Sequence, residues 1–218
     1  MLTIRDLHDL SHTLAGDYLA GFTYPWEALS GIKALILALG EKLGEDYDEV
    51  VPQVWVHRTA TVAPTAFLGA PCLIGAGTEV RHGAFIRGSA LVGENCVVGN
   101  SVELKNVILF DNVQVPHYNY VGDSILGYKS HMGAGSITSN VKSDKSLVVV
   151  RSGEEAIETG LKKFGAMLGD QVEVGCNSVL NPGTVIGRNS NVYPLSSVSG
   201  VVPEGHIWKT GGVTVKKR

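Results

Sequence analysis

This 218-residue sequence predicts an all-β fold, a parallel β-helix preceded by a short helical segment. The first observation is a six-residue beat. Val56, Val62, Leu68, Ile74, Val80, Ile86, Val92, Val98, Leu104 and Phe110 follow one another without a slip, and Pro116 closes the run. The second is a shorter run in its own phase: Leu168, Val174, Leu180, Ile186, Val192 and Val198. The third is glycine directly after the apolar position, at Gly69, Gly75, Gly93, Gly99, Gly127, Gly133, Gly169, Gly175 and Gly187. Neither a helix, with a period of about 3.6, nor a strand, with a period of about two, gives such a beat. A hexapeptide period is the mark of stacked β-helix coils.

Each hexad supplies one short strand and one turn, and three close a triangular coil with the apolar side chain inside. On this reading the glycines serve turn conformations that other residues resist. The two runs amount to about six or seven coils.

Residues 1–50 lie ahead of the beat and read as a helical cap. Asp6, Leu7, Leu10 and Leu14 fall at helical spacing, as do Ile32, Leu35, Ile36 and Leu39 before Gly40. His8 and His12, one helical turn apart, could share a helix face, a spacing also found in zinc sites; with no further ligand pair beside them they read as surface histidines. The β-helix occupies 51–203. Between Pro116 and Leu126 ten residues stand where twelve are expected, so the phase slips there. The beat is lost again over 139–167, an excursion loop of the length usually given to function or mobility. Residues 204–218 read as a surface tail ending Lys216-Lys217-Arg218.

Composition narrows the function classes. Hydrophobic residues make up 44% and charged residues 18%, with net charge −3. A nucleic-acid binder would carry a basic surplus, which is absent. The most apolar run, Ile32 to Leu39, is interrupted by Lys33 and too short to span a bilayer. The opening residues do not read as a secretory signal. Three scattered cysteines argue against a disulfide framework and for a reducing, cytoplasmic setting. Cys72, Cys96 and Cys176 read as small residues in tight coils.

A dense polar cluster, Pro116-His117-Tyr118-Asn119-Tyr120-Val121-Gly122-Asp123, sits inside this scaffold. It is preceded by Val98-Gly99-Asn100-Ser101-Val102-Glu103-Leu104-Lys105 and followed by Gly133-Ala134-Gly135-Ser136-Ile137-Thr138-Ser139-Asn140. These three motifs, in this order, resemble the acetyltransferase domain of the bifunctional glucosamine-1-phosphate N-acetyltransferase/N-acetylglucosamine-1-phosphate uridylyltransferases. Lys162-Lys163-Phe164-Gly165-Ala166-Met167-Leu168-Gly169-Asp170 brings the likeness nearest to the archaeal-type sugar-1-phosphate enzymes. The match covers roughly Arg87 to Pro203.

The resemblance implies a left-handed winding and transfer of acetyl from acetyl-CoA to the amine of an amino-sugar 1-phosphate, either glucosamine-1-phosphate or galactosamine-1-phosphate. It assigns the general base to His117, a side-chain type that titrates near neutrality. Arg87 and Lys105, supported by Tyr120, match the phosphate ligands, with Lys145 added less directly because it follows Asn140 one residue early. Glu103 matches a sugar-hydroxyl contact and Asn140 the residue that orients the amine. Ala134, Gly175 and Cys176 match the coenzyme groove, where backbone N–H groups would meet the oxyanion. The family also implies a homotrimer with sites between subunits, no metal requirement, and neither nucleic-acid nor membrane partners.

The sequence departs from the pattern at three places. His131, on the substrate side, stands where the family usually has Asn; Val141 stands where many members have Tyr; and Pro194, on the coenzyme side, where many have Ala. Residues 1–55 hold nothing like a Gly-rich nucleotidyltransferase loop, so uridylyl transfer is not expected. Two other readings stay open. One is a non-catalytic scaffold or regulatory trimer. The other is a γ-type carbonic anhydrase-like metalloenzyme, for which His82 and His117 have suitable spacing but lack the third ligand that zinc needs.

Overall fold

The computed structural model describes residues 1–217 and winds the hexads into a three-faced parallel β-helix. The first face stacks eight strand segments, starting with Val54–His57, Cys72–Ile74 and Ala90–Val92 and ending with Ala166–Leu168, Thr184–Ile186 and Val201–Val202. Between these groups lie the second halves of two long strands, Glu103–Leu109 and Tyr120–Leu126, which bend from the third face onto the first. The second face carries Val97–Asn100, Gln114–His117, His131–Met132 and Glu173–Val174 at its centre. On the third, Phe85–Ile86 lies below the two long strands and Ile137–Thr138 above them.

More coils are present than the hexads alone predict. Val201–Val202 and His206–Lys209 add a rung after the last beat, and Val213–Lys216 folds back antiparallel on it. The stretch 204–218, read from sequence as a tail, thus holds a hairpin that ends the prism. The other end is closed by Tyr47–Val51, antiparallel to Val54–His57.

Interior columns follow the register. Ile74, Val92, Leu109, Leu126, Leu168 and Ile186 stack on the first face, all fully buried. Burying each such side chain stabilises the fold by about 1.5–3 kcal/mol. Two rungs are shorter than a hexad: Leu104 to Leu109 and Val121 to Leu126. The first contraction therefore falls before the point at which the sequence count places the slip. Leu109 pairs with Val92 and Val115 with Val98, so Phe110 and Pro116 leave the interior columns. The contraction is silent in the sequence because Leu109 and Phe110 are both large and apolar.

The glycines after the apolar positions serve a purpose other than the expected one. None of the nine has positive φ. A side chain there would meet the next coil instead: a Cβ on Gly69, Gly93, Gly133 or Gly169 would sit 2.8 Å from backbone atoms of Arg87, Asp111, Cys176 or Arg188. Left-handed backbone falls nearer the middle of the turns, at Asn95, Ser101, Asn177 and Asn189 among others. Asparagine tolerates that region better than most residues.

The helical segment lies along a flank of the β-helix. On the first face the outward residues Leu73, Leu91, Ile108, Ile125, Met167 and Val185 are as buried as the inward ones. The helix Ile32–Gly40 packs on Cys72–Ile74, Ala90–Val92 and Glu103–Leu109, while the 3-10 turn Pro25–Gly31 packs on Tyr120–Leu126. The face is thus apolar on both sides, like a strand in a covered parallel sheet. Ahead of it, Ile4–Leu7 is one helical turn held by a Thr3–Asp6 capping box. His8 is then extended and His12 ends a separate 3-10 turn, so the two imidazoles share no helix face.

Asp170 pins this strand of chain. Its backbone N–H donates to the Leu7 carbonyl (2.9 Å), and its carboxylate accepts from the Asp9 N–H (2.8 Å) and the Tyr128 N–H (2.9 Å). His8 is buried with its ring 4.9 Å from that of Phe110. Its Nδ1 lies 3.6 Å from Asp170 Oδ1, beyond hydrogen-bond reach, and Arg188 also faces that carboxylate. Burial therefore dominates and lowers the imidazole pKa below its ordinary value.

Below the ordinary histidine value of about 6.5 the unfolded chain takes up a proton that the folded chain resists. The contribution is therefore complete above that pH and is lost as pH falls. The urea midpoint should drop between pH 7 and pH 5, and should drop less in His8→Phe, which keeps a ring against Phe110. Equal pH dependence of the two proteins would refute this role.

Candidate active site

The corner between the second and third faces carries one column of residues. His117 pairs in register with Asn100 below, and above it Ala134, Cys176 and Pro194 follow coil by coil. The ladder is continuous: the Gly135 N–H donates to the His117 carbonyl (3.1 Å), the Asn177 N–H to Ala134 (2.9 Å) and the Leu195 N–H to Cys176 (3.0 Å). The His117 side chain is exposed, but its turn is fixed. Buried Asn119 accepts the His117 backbone N–H on Oδ1 (3.1 Å) and donates from Nδ2 to the carbonyls of Gly133 (2.8 Å) and Ser136 (3.1 Å). Tyr118 takes φ +37° at the bend.

Above His117 the column borders a groove of about 330 Å³ lined by His131, Gly133, Gly175, Cys176 and Pro194 among others. Three of the four predicted coenzyme residues are among these, and Ala134 is in the same column. His131 belongs to this group too: its Nδ1 lies 2.8 Å from Glu173 on the groove wall. The resemblance assigned it to the substrate side; it lines the same groove as Gly175, Cys176 and Pro194.

Across the third face lies a charged cluster, carried by the two contracted rungs. Asn106 and Asp123 stand in left-handed backbone, at φ +54° and +49°, stacked in adjacent coils. Asp123, 4% exposed, accepts from Lys105 Nζ (3.0 and 3.1 Å), from Asn106 Nδ2 (3.0 Å) and from Asn140 Nδ2. Asn140 also donates to the Tyr120 hydroxyl (3.1 Å). Arg87 donates to Glu103 at 2.8 Å, an exposed pair whose carboxylate raises the guanidinium pKa further. Partial burial, reinforced by Asp123 and Glu103, raises the Tyr120 pKa and keeps it a neutral phenol.

Glu103 and Tyr120 are register partners on the third face, between the His117 corner and the cationic one. Arg87, Lys105, Glu103, Tyr120 and Asn140 are thus brought together, with His117 at the other edge of the same face. Lys145 is not gathered in: it is exposed at φ +60° and pairs with no carboxylate among the described residues. Its neighbours Val141 and Lys142 line a separate cavity of about 500 Å³ with Arg151 and Asn181. Sequence reasoning missed Asp123, Asn106 and Asn119. It also missed Lys33, which borders a cavity of about 300 Å³ with Arg87 and Lys105. Asp123 and Asn119 lie inside the quoted motif, where polar residues flanking a contraction were the available signal.

His82 stands two coils below His117 in the same column, its Nδ1 2.7 Å from Thr65 Oγ1. Among the described residues no three His, Cys, Asp or Glu side chains gather as a metal site.

The chain is thus a hexapeptide-repeat β-helix with a histidine corner and a cationic corner on one face. The chain belongs to the family described as the GMPPB C-terminal domain, whose model matches residues 70–186. It is 32% identical over 117 residues to the bifunctional protein GlmU of Methanococcus maripaludis, covering 53% of this chain and 28% of that one. It is 33% identical over 107 residues to the bifunctional sugar-1-phosphate nucleotidylyltransferase/acetyltransferase of Sulfurisphaera tokodaii, covering 49% and 27%. The chain therefore matches about a quarter of the length of these relatives. Among solved structures, the acetyltransferase domain of PglB from Neisseria gonorrhoeae, in complex with acetyl coenzyme A, aligns with 72% of this chain and 54% of its own. The identity is 16% and the TM-score 0.35.

The cysteines differ in reactivity for a physical reason. Burial pushes the Cys72 and Cys96 thiols up to about 12, whereas Cys176 is exposed in the groove. Iodoacetamide at pH 8 should label native protein at Cys176 alone and reach the others only after unfolding. Labelling of Cys72 at the Cys176 rate, read by peptide mass mapping, would contradict the packing.

Proposed function

We propose that the protein is an N-acetyltransferase that moves acetyl from acetyl-CoA to the amine of an amino-sugar 1-phosphate. The observation that carries this is the third face bounded by two unlike corners. One presents His117 at the foot of a groove whose lining includes Gly133, Gly175, Cys176 and Pro194, the other presents Arg87 and Lys105, with Glu103, Tyr120 and Asn140 on the face between them. An amino sugar carrying a phosphate needs these groups in this order: a base at the amine, hydrogen-bonding side chains along the ring, and cations at the phosphate.

In the reaction, His117 takes the proton as the amine nitrogen attacks the thioester carbonyl carbon. A tetrahedral oxyanion forms and the C–S bond then breaks, with the coenzyme thiolate leaving and the proton returning to it through His117 or solvent. The N–H groups of Ala134 and Cys176 have no acceptor among the described residues and stand in the His117 column. They suit the oxyanion. Asn119 acts through His117 by holding its turn. The match to GlmU-type relatives supports the same reading.

We place the enzyme in the cytoplasm as a homotrimer; no helix among the described residues is long and apolar enough to cross a membrane. The trimer follows from the family's habit of building sites between prisms, together with the preference of oligomers for closed cyclic symmetry. A trimeric mass by light scattering at micromolar concentration is expected, and a monomeric mass would count against it.

Thiol release measured with glucosamine-1-phosphate and with galactosamine-1-phosphate tests the activity and ranks the two sugars. His117→Ala should lower kcat by about 10²- to 10⁴-fold, with the fold checked by circular dichroism. A loss under tenfold would remove His117 from the chemistry. No turnover of either sugar by the wild-type protein would favour the non-catalytic scaffold.

A further inference from the structure

We infer that the N-terminal helix belongs to the substrate site: Lys33 supplies the third cation of an anion-binding cavity whose other two are Arg87 and Lys105. This rests on the acetyltransfer reading above and extends it, since the ligand class is the phosphate monoester of the amino sugar. The cavity, about 300 Å³, lies where the helix Ile32–Gly40 meets the corner between the third and first faces. Asn106, Gly88 and Ser89 complete the lining used here.

The charges in the cavity are unequally free. Arg87 is engaged by Glu103 at 2.8 Å and Lys105 by Asp123 at 3.0 Å. Both keep unused donors, but each charge is largely offset within the chain. Lys33 has no carboxylate within ion-pair distance among the described residues, so it carries the cavity's surplus positive charge. The backbone N–H groups of Gly88 and Ser89 also find no acceptor among those residues. Three cationic side chains and two free N–H groups around one small cavity form a donor set for the oxygens of a phosphate.

Lys33 stands at a mildly unfavourable place for a cation when no anion is there. It occupies the first turn of its helix, where the macrodipole already presents partial positive charge, and that turn holds no acidic residue. The helix itself is pinned by Ile32 and Ile36, both fully buried. The backbone of Lys33 is therefore fixed at the cavity rim, while its exposed side chain is free to reach a ligand there. Places where a local rule is broken on a well-packed element are expected at functional sites.

Calorimetric titration of the full chain with glucosamine-1-phosphate, inorganic phosphate and unphosphorylated glucosamine tests the assignment without requiring turnover. Lys33→Gln should weaken both phosphate ligands about tenfold, the loss of one charge-assisted contact. Lys33→Arg should retain most of the affinity, and glucosamine should bind both variants as it binds wild type. Lys209→Gln, the same charge change on the exposed C-terminal hairpin, should leave phosphate binding unaltered. The inference is overturned if wild type binds neither phosphate ligand, if Lys33→Gln binds them as wild type does, or if Lys209→Gln loses as much. Phosphate binding that falls with Lys33→Gln in a protein that acetylates neither sugar would sustain the anion site and sink the acetyltransfer reading alone.

Discussion

The Asp123 carboxylate is the constraint on which the rest of the site depends. It is nearly buried, and burying an ionised carboxylate is unfavourable by several kcal/mol unless its oxygens are met. Lys105 and Asn106 meet them from one strand and Asn140 from the coil above Asp123. Satisfying one charge therefore fixes the spacing of three polar side chains, and through Asn140 it fixes the Tyr120 hydroxyl as well. Removing Asp123 would leave Lys105 and two amides without their common anchor. Ser89, Asn106 and Asp123 stand one above another in left-handed backbone, and the column directs the latter two side chains at each other.

The second organising fact is that the first face is apolar on both sides. A β-helix face open to water needs only one apolar residue per rung, directed inward. Here the outward column from Leu73 to Val185 is buried as well. It was present in the sequence as doublets such as Leu73-Ile74, Leu91-Val92 and Ile108-Leu109. The helices of the first forty residues answer that column, and their position sets Lys33 beside Arg87. Packing on one flank thus determines what stands at the edge of the next.

The period-six architecture was legible because interior columns are a repeating demand and every coil must meet it. What was not legible arose where two solutions share one spelling. Leu109-Phe110 satisfies the hexad in either register, so the first contraction left no trace. Glycine after an apolar residue fits a turn conformation or a close backbone approach equally well, and coil-to-coil distance decides for the second. Of the candidate site residues, His117, Lys105, Glu103, Tyr120 and Asn140 could be named because they sit in ordered motifs, and Arg87 because the likeness begins there. The contact of His131 with Glu173 could not be read beforehand, because only the register reveals that the two residues stack. Lys33 was hidden because its partners are distant in sequence and the helix looks, by itself, like an ordinary amphipathic segment.

The excursion after Asn140 ends where it begins. The Phe164 N–H donates to the Asn140 carbonyl (3.0 Å) and the Gly165 N–H to the Asp123 carbonyl (2.8 Å), after which Leu168 rejoins the column on Leu126 as though nothing had intervened. Its two ends form a clasp fastened to backbone carbonyls of the site, while the hairpin Val149–Ser152/Glu155–Glu158 lies against Val201–Val202, with Val148 and Val150 fully buried. The insertion is therefore tied down at three places: at the site by its ends, on Val201–Val202 by its hairpin, and at the amino terminus by Glu155, which accepts from the Met1 ammonium (2.7 Å). A change in the hairpin is felt in the last coils and in the N-terminal segment as well as at Asn140.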